Sequence, residues 1–194
     1  MGQSDPLAAI RLAVRALGSE HSIRLSDPVE RYLADAAHYH PQAVMGELGV
    51  GLLTPGTGWR LSFGDLVPVV AALPPAIARA WVERHDLDGA RSLARLLAVP
   101  HLSDGVPKVP ELTEFVLDRY GQDDRVFQEF CAGAASHGIR SGDIAGQYDQ
   151  DAEVARHFLT HRCRAIREWA RGAEQRARAH ADWFRRDDEQ LEAP

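Results

Sequence analysis

Apolar residues recur at three- and four-residue steps through most of the chain, the period of a helix with one buried face. Leu7, Ile10, Val14 and Leu17 form such a stripe and Gly18 supplies a stop, which predicts a short amphipathic helix. Ser26, Asp27 and Pro28 read as a capping side chain with proline in the first turn, so a second helix is expected to run to about Tyr39. Pro41 then opens a third that reaches about Leu53. After the turn cluster Thr54 to Trp59, helix is expected over Ser62 to Leu73, with Pro68 tolerated near its start or kinking it. A break at Pro74-Pro75 leads into a helix through Ile77, Trp81 and Val82 to His85. Asp86 and Asp88 can cap the next, whose buried side is Leu93, Leu96 and Leu97.

The stretch Val99 to Pro110 reads as a loop whose Asp104-Gly105 pair suggests a tight, hairpin-like turn. Leu112, Phe115, Val116 and Tyr120 then mark a helix ended by Gly121, and Asp123 or Asp124 caps another carrying Val126, Phe127 and Phe130. Beyond a loop from Ser136 to Gly142, a helix through Ile144, Val154, Phe158 and Leu159 turns at Thr160 to Arg162 into a long final helix, Cys163 to Arg186. No strong strand pattern occurs, so the fold class expected is all-α. Helices of ten to fifteen residues with short turns, recurring at roughly 35 to 45 residues, are what a degenerate α-solenoid looks like in sequence. Because these repeats do not align on one another, an irregular helical bundle is the alternative. The divisions expected are an N-terminal helix and linker over residues 1–25, a helical repeat domain over 26–186, and an acidic tail over 187–194.

Composition narrows the setting. At 194 residues, 45% hydrophobic, the chain can build a sizeable core unaided by disulfides or metals. Cys131 and Cys163 are too few for a disulfide framework, and no basic-then-apolar leader opens the chain, so a cytoplasmic setting is expected. The most apolar stretch, Leu66 to Ala80, is broken by Pro68, Pro74 and Pro75 and falls short of the ~20 residues of a bilayer span, so no membrane partner is expected. Lys108 is the only lysine among 22 cationic side chains. Arginine suits bidentate pairing with carboxylates and phosphates, though codon bias explains a bulk excess as well.

The segment Glu153 to Ala177, EVARHFLTHRCRAIREWARGAEQRA, resembles a HEAT-like repeat: an apolar helix, a tight turn, then a helix opening with an aliphatic-arginine pair, here Ile166-Arg167, followed by Trp169-Ala170. It departs from the pattern at the turn, where such repeats carry Asp and Pro and this chain has His161 and Arg162. The wider stretch from HPQAVMGELG through ARAWVERHDLDGARSLARLL to DDRVFQEFCAG and IREWA, most of residues 27–186, looks like helical C-terminal regions of large multidomain bacterial proteins. Signalling and defence NTPases with helical sensor segments are among these. The resemblance implies a sensor, scaffold or autoinhibitory region and brings no catalytic residues with it.

Candidate chemistry is sparse. His157 and His161 share a face if the helix is continuous, and Cys163, Cys131 and His137 would complete a tetrahedral zinc site, the basis of a metal-dependent enzyme as one alternative. The turn at Thr160 to Arg162 and the lack of a C-x-x-C or H-E-x-x-H pairing argue instead for helix-terminal histidines and buried thiols. His38 and His40 point apart at two-residue spacing. Ser136-His137 and Ser141-Gly142-Asp143 share a loop but no G-x-S-x-G elbow, and Ser141 to Asp143 reads as a helix cap. GELGVG, Gly46 to Gly51, follows no strand, and no Gly-Lys-Ser/Thr occurs. No metal, cofactor or catalytic residue is therefore assigned.

The final helix is the sharpest feature. Residues 162–186 hold eight arginines and three acids, a local charge of +5 between a preceding −7 and a following −4 that together make the net −6. Ile166, Trp169, Ala170, Ala173, Ala177, His180, Ala181 and Phe184 form its buried stripe, and Arg164, Arg167, Arg171 and Arg178 project around it. Such a helix can follow a phosphate backbone with Trp183 stacking on a base, or it can cap a repeat array, its arginines paired with neighbouring acids. The reading favoured is a non-enzymatic module that binds another protein or domain, with these arginines and Trp59 or Trp183 as anchors. Nucleic acid is the alternative partner.

Overall fold

The computed structural model describes residues 5–17, 26–54, 66–135 and 142–192, which form two compact units: Met1–Ala98 with Glu111–His137, and Val99–Pro110 with Gly138–Pro194. The all-α class holds, with one two-stranded sheet among the described residues. No helix among them is long and apolar enough to cross a membrane.

The first unit contains α1 (Pro6–Leu17), α2 (Ser26–Tyr39), α3 (Pro41–Leu53), α4 (Val67–Ala72), α5 (Pro75–Ala94), α6 (Glu111–Tyr120) and α7 (Asp124–Ala135). Asp5 starts α1 by accepting the Leu7 N–H, and of the expected stripe Ile10, Val14 and Leu17 are buried where α1 meets α2 and α3, while Leu7 in the first turn stays exposed. Only His40 separates α2 from α3, whose first turn holds Pro41 and whose Val44, Met45, Leu48 and Leu52 face the core. Gly49 sits against the Trp81 indole, where an added Cβ would fall 2.6 to 2.8 Å from ring carbons; glycine here sets the approach of α3 to α5. Pro68 is tolerated in the first turn of α4, as its missing N–H has no intrahelical partner there. The expected extent of that helix upstream of residue 66, and Trp59, lie outside the described residues.

The break expected at Asp86 is present: its backbone is non-helical (φ 48, ψ −128) and divides α5 into two helical segments, residues 75–85 and 87–94. A Cβ added at Gly89 would fall 3.3 Å from the Val82 Cα, so the second segment folds back against the first. Ion pairs tie α5 to the two helices after it in strict chain order: Arg79 to Glu111, Glu83 to Arg119, Arg91 to Asp123 and Arg95 to Glu129. Contacts that climb together on both chains require parallel neighbours, so residues 75–85 lie beside α6 and residues 87–94 beside α7. Asp123 also caps α7, accepting the Arg125 and Val126 N–H groups. At the foot of α6 the buried Thr113 hydroxyl donates to the Ala98 carbonyl at 2.8 Å, closing the excursion between them.

The second unit contains β1 (His101–Ser103), β2 (Val106–Lys108), α8 (Ile144–His157) and α9 (Arg164–Glu192). The strands pair antiparallel, His101 with Lys108 and Ser103 with Val106, across Asp104 (φ 54) and Gly105 (φ 74). Positive φ at both central residues is the two-residue turn that matches strand twist. Asp-Gly therefore signalled the turn correctly, but three-residue strands are too short to show an alternating pattern. The hairpin packs on α8, and α8 packs chiefly on α9. Asp143 caps α8 by accepting the Gly146 N–H at 2.8 Å, the role foreseen for that position; Ser141 is outside the described residues.

Candidate functional site

The arginine-rich helix is the second half of an antiparallel hairpin. Its contacts with α8 close in on the turn from both sides: Tyr148 meets Phe184 and His180, Glu153 meets Arg178, Arg156 meets Glu174, and Phe158 meets Trp169. Ile166, Ala170, Ala177 and Ala181 are buried, while Trp169, Ala173 and Phe184 are half-buried and His180 is exposed, its ring standing edge-on to Tyr148. Helix rise makes α9 about 43 Å long against about 21 Å for α8. The acidic segment expected as a tail continues α9 as helix to Glu192.

The tight turn is built from the residues at which the sequence departs from the HEAT pattern. A short 3₁₀ turn (Phe158–Thr160) ends with the His161 N–H donating to the Phe158 carbonyl. The His161 ring then accepts the Cys163 N–H at Nδ1 (3.1 Å), satisfying a donor at the start of α9. Arg167 folds back and donates to the carbonyls of His161 (2.6 Å) and Arg162 (2.8 Å). That aliphatic-arginine position thus anchors the turn.

Arg178 donates to Glu174 (3.1 Å) and lies 3.7 Å from Glu153, while Arg156 donates to the same two acids at 3.2 and 2.9 Å. Two guanidinium groups and two carboxylates thus alternate across the α8–α9 seam. Such networks outweigh isolated surface pairs, which contribute about 0–1 kcal/mol each. Arg185 pairs with Asp149 and Asp182, and Arg186 donates to the Asp182 carbonyl oxygen. Arg164 pairs with Glu168 at 2.6 Å, raising the arginine and holding the Glu168 carboxyl below its ordinary range. Arg171 is exposed and adds to that lowering through its charge.

Trp183 is 53% exposed, its ring edge-on to Phe184 at 4.6 Å. Behind it Phe184 stacks on Tyr148 at 5.7 Å, so a solvent-facing indole rests on a layered aromatic base. Of the anchors named from sequence, the structure brings Arg164, Arg171, Arg178 and Trp183 to the surface of α9, commits Arg167 to the turn, and does not describe Trp59. The acids of α8 that hold Arg185 and Arg178, Asp149 and Glu153, could have been found from their spacing on the flank of an amphipathic helix. Other large apolar side chains in solvent include Tyr39 (80% exposed) at the end of α2, Leu12 (70%) on α1 and Val50 on α3.

The remaining candidates resolve separately. Cys163 is buried, His161 Nδ1 is engaged by a backbone N–H, and no group of three or more His, Cys, Asp or Glu among the described residues is placed to hold a metal ion. His137, with the Ser136 and Ser141 loop, is outside the described residues. The glycines of GELGVG lie within α3, so their amides serve the helix and form no phosphate cradle. No protein-family model, curated protein or solved structure matches the chain.

Proposed function

We propose that the chain is a non-enzymatic protein-interaction module, a sensor or scaffold, that binds another protein or another domain of a larger system through a HEAT-like, solenoid-type helical surface. The observation that carries this reading is the recurrence of sequence offsets of 32 to 36 between paired side chains in the first unit. Arg11 pairs with Glu47 at a separation of 36, Arg79 with Glu111 at 32, Glu83 with Arg119 at 36 and Arg91 with Asp123 at 32. In a helical solenoid, equivalent positions of successive repeats lie side by side, so contacts recur at the repeat length. In an up-down bundle, neighbours are antiparallel and the separation changes with every pair. Alternate helices accordingly neighbour one another, α1 with α3, α2 with α4 and α3 with α5. Stacking of this kind exposes long continuous faces and is suited to binding rather than to a closed catalytic pocket.

The pairing of the α9 arginines with carboxylates supports a protein partner over nucleic acid, because phosphates would have to displace those acids. Crosslinking capture from native lysate, run with the wild type and with Trp183→Ala/Arg171→Glu, tests the reading. One protein recovered by the wild type and reduced at least tenfold by the double variant is the expected result. Equal recovery, or salt-sensitive binding of short DNA or RNA that the same variant abolishes, would overturn it.

A further inference from the structure

The solvent side of α3 lacks the charges that a solvated helix face carries. Its exposed positions recur at four-residue steps, Gln42, Gly46, Val50 and Thr54, and none of them is ionisable. Val50 is 67% exposed. Gly46, one turn before it, is the odd member of the row. Glycine inside a helix is unfavourable relative to alanine, so it is expected where a neighbour needs the room. Gly49 meets the Trp81 indole, Gly89 meets the Val82 backbone, and Gly133 meets the Arg95 backbone. Gly46 has nothing within 4 Å of an added Cβ, so the hollow it leaves beside Val50 serves no contact within the described residues.

The helices on either side extend this face. The Arg11–Glu47 ion pair and the approach of Gly49 to Trp81 put Leu12 of α1 and Ala80 of the 75–85 segment level with residues 46–50 of α3. Leu12 is 70% exposed, and Ala8, Ala76 and Ala80 are exposed with it. Arg15 and Arg84 are exposed farther along the two flanking helices. An apolar centre within a charged rim is the arrangement of a protein interface.

We propose that this face joins two copies of the chain, with α3 antiparallel to its counterpart about a twofold axis at the level of residue 48. Positions placed symmetrically about that level then meet. Val50 of each copy enters the hollow at Gly46 of the other, and Gln42 faces Thr54, so no charge is buried along the row. A twofold interface requires this reciprocity, residue i on j and j on i, and a knob and a hollow one turn apart on the same row supply it. The area is sufficient. With α3 about 20 Å long and three helices spaced at about 10 Å, each copy offers about 600 Å² and the pair about 1,200 Å², the lower end of specific interfaces. The dimer is therefore weak and concentration-dependent. It stands on the first unit and not on the α9 surface proposed above to bind another protein.

Sedimentation velocity of the full-length protein from about 1 µM to about 1 mM tests it. A monomer–dimer equilibrium is expected in the wild type. Gly46→Val, which sets a second knob where the hollow was, is expected to raise the dissociation constant about tenfold or more, and Leu12→Glu to weaken pairing likewise. Adding Val50→Gly to Gly46→Val exchanges knob and hollow and is expected to restore the constant to within about threefold of the wild type. Trp183→Ala/Arg171→Glu should leave it unchanged. In dilute, monomeric protein Gly46→Val is expected to melt no lower than the wild type, which separates lost pairing from lost folding. A wild type that is monomeric throughout, a dimer indifferent to Gly46→Val and Leu12→Glu, or no recovery in the exchanged double variant would overturn the proposal.

Discussion

Gly133 and Gly46 permit one substitution to be read with opposite signs. Gly133 is buried on α7 where it crosses the end of α5, and a Cβ built there lies 3.0 Å from the Arg95 carbonyl carbon, 3.2 Å from its Cα and closer still to its carbonyl oxygen. Ordinary contact begins at 3.4 Å, and the obstructing atoms are backbone, so α7 must retreat from α5 as a rod. Overpacking of this kind costs about 2–3 kcal/mol when no side chain can swing aside. Alanine recovers up to about 1 kcal/mol through helix propensity, leaving a net loss of about 1–2 kcal/mol. Gly46 in the middle of α3 is exposed, with nothing within 4 Å of an added Cβ, so only the propensity gain of about 1 kcal/mol applies. For a chain of this size 1 kcal/mol moves the melting temperature by about 2–4 °C. Thermal unfolding followed by circular dichroism should therefore show Gly133→Ala lowered by about 3–6 °C and Gly46→Ala raised by about 2–3 °C. A Gly133→Ala protein as stable as the wild type would refute the claimed approach of α7 to α5.

Three further outcomes follow from single groups. The Asp123 carboxyl is held at about 2, first by its hydrogen bonds from Arg91 and then by the Val126 N–H, against an unfolded value of about 4. A lowered folded value stabilises above about pH 4 and is lost as the pH falls toward 2. The melting-temperature gap between wild type and Asp123→Asn should thus be full at neutral pH and close on acidification; a gap independent of pH contradicts the pairing. Asp143→Ala removes the cap of α8 at a cost of about 1 kcal/mol, read as a fall of about 2–4 °C that Asp143→Asn largely restores. Tyr120→Phe deletes a buried hydroxyl without a partner among the described residues and should raise stability by about 1 kcal/mol in urea titration, whereas destabilisation would mean that Asp86 already satisfies it.

How much of this was legible can be judged at particular residues. The helices Ser26–Tyr39 and Pro41–Leu53 coincide with their expected limits, because proline in the first turn and the apolar step are local signals. Asp86 was correctly placed between two helical segments, because an acid followed by a fresh apolar stripe is a local signal, whereas the folding of the second segment back onto the first, Gly89 against Val82, was decided by packing. The hairpin at 101–108 was visible only as its turn. In the candidate site the arginines were evident and their use was not. Arg167 is drawn onto the turn carbonyls and Arg178 onto Glu174 and Glu153, a competition between acceptors that exists only once α8 and α9 lie antiparallel.

The order of residues along the chain determined the helical class, most helix starts and stops, and the concentration of positive charge between residues 162 and 186. These depend on spacing, capping chemistry and proline geometry within a few positions. The tertiary structure decided which helices run parallel, how the chain folds back at Asp86, and how the +5 of the last helix is held. Those outcomes depend on pairs 18 to 36 residues apart, such as Arg156 with Glu174 and Asp149 with Arg185, and no local period records them. A stretch that in sequence looks like a basic helix seeking an anion becomes, in the fold, one side of an ion-paired seam with Trp183 and Arg171 at its surface.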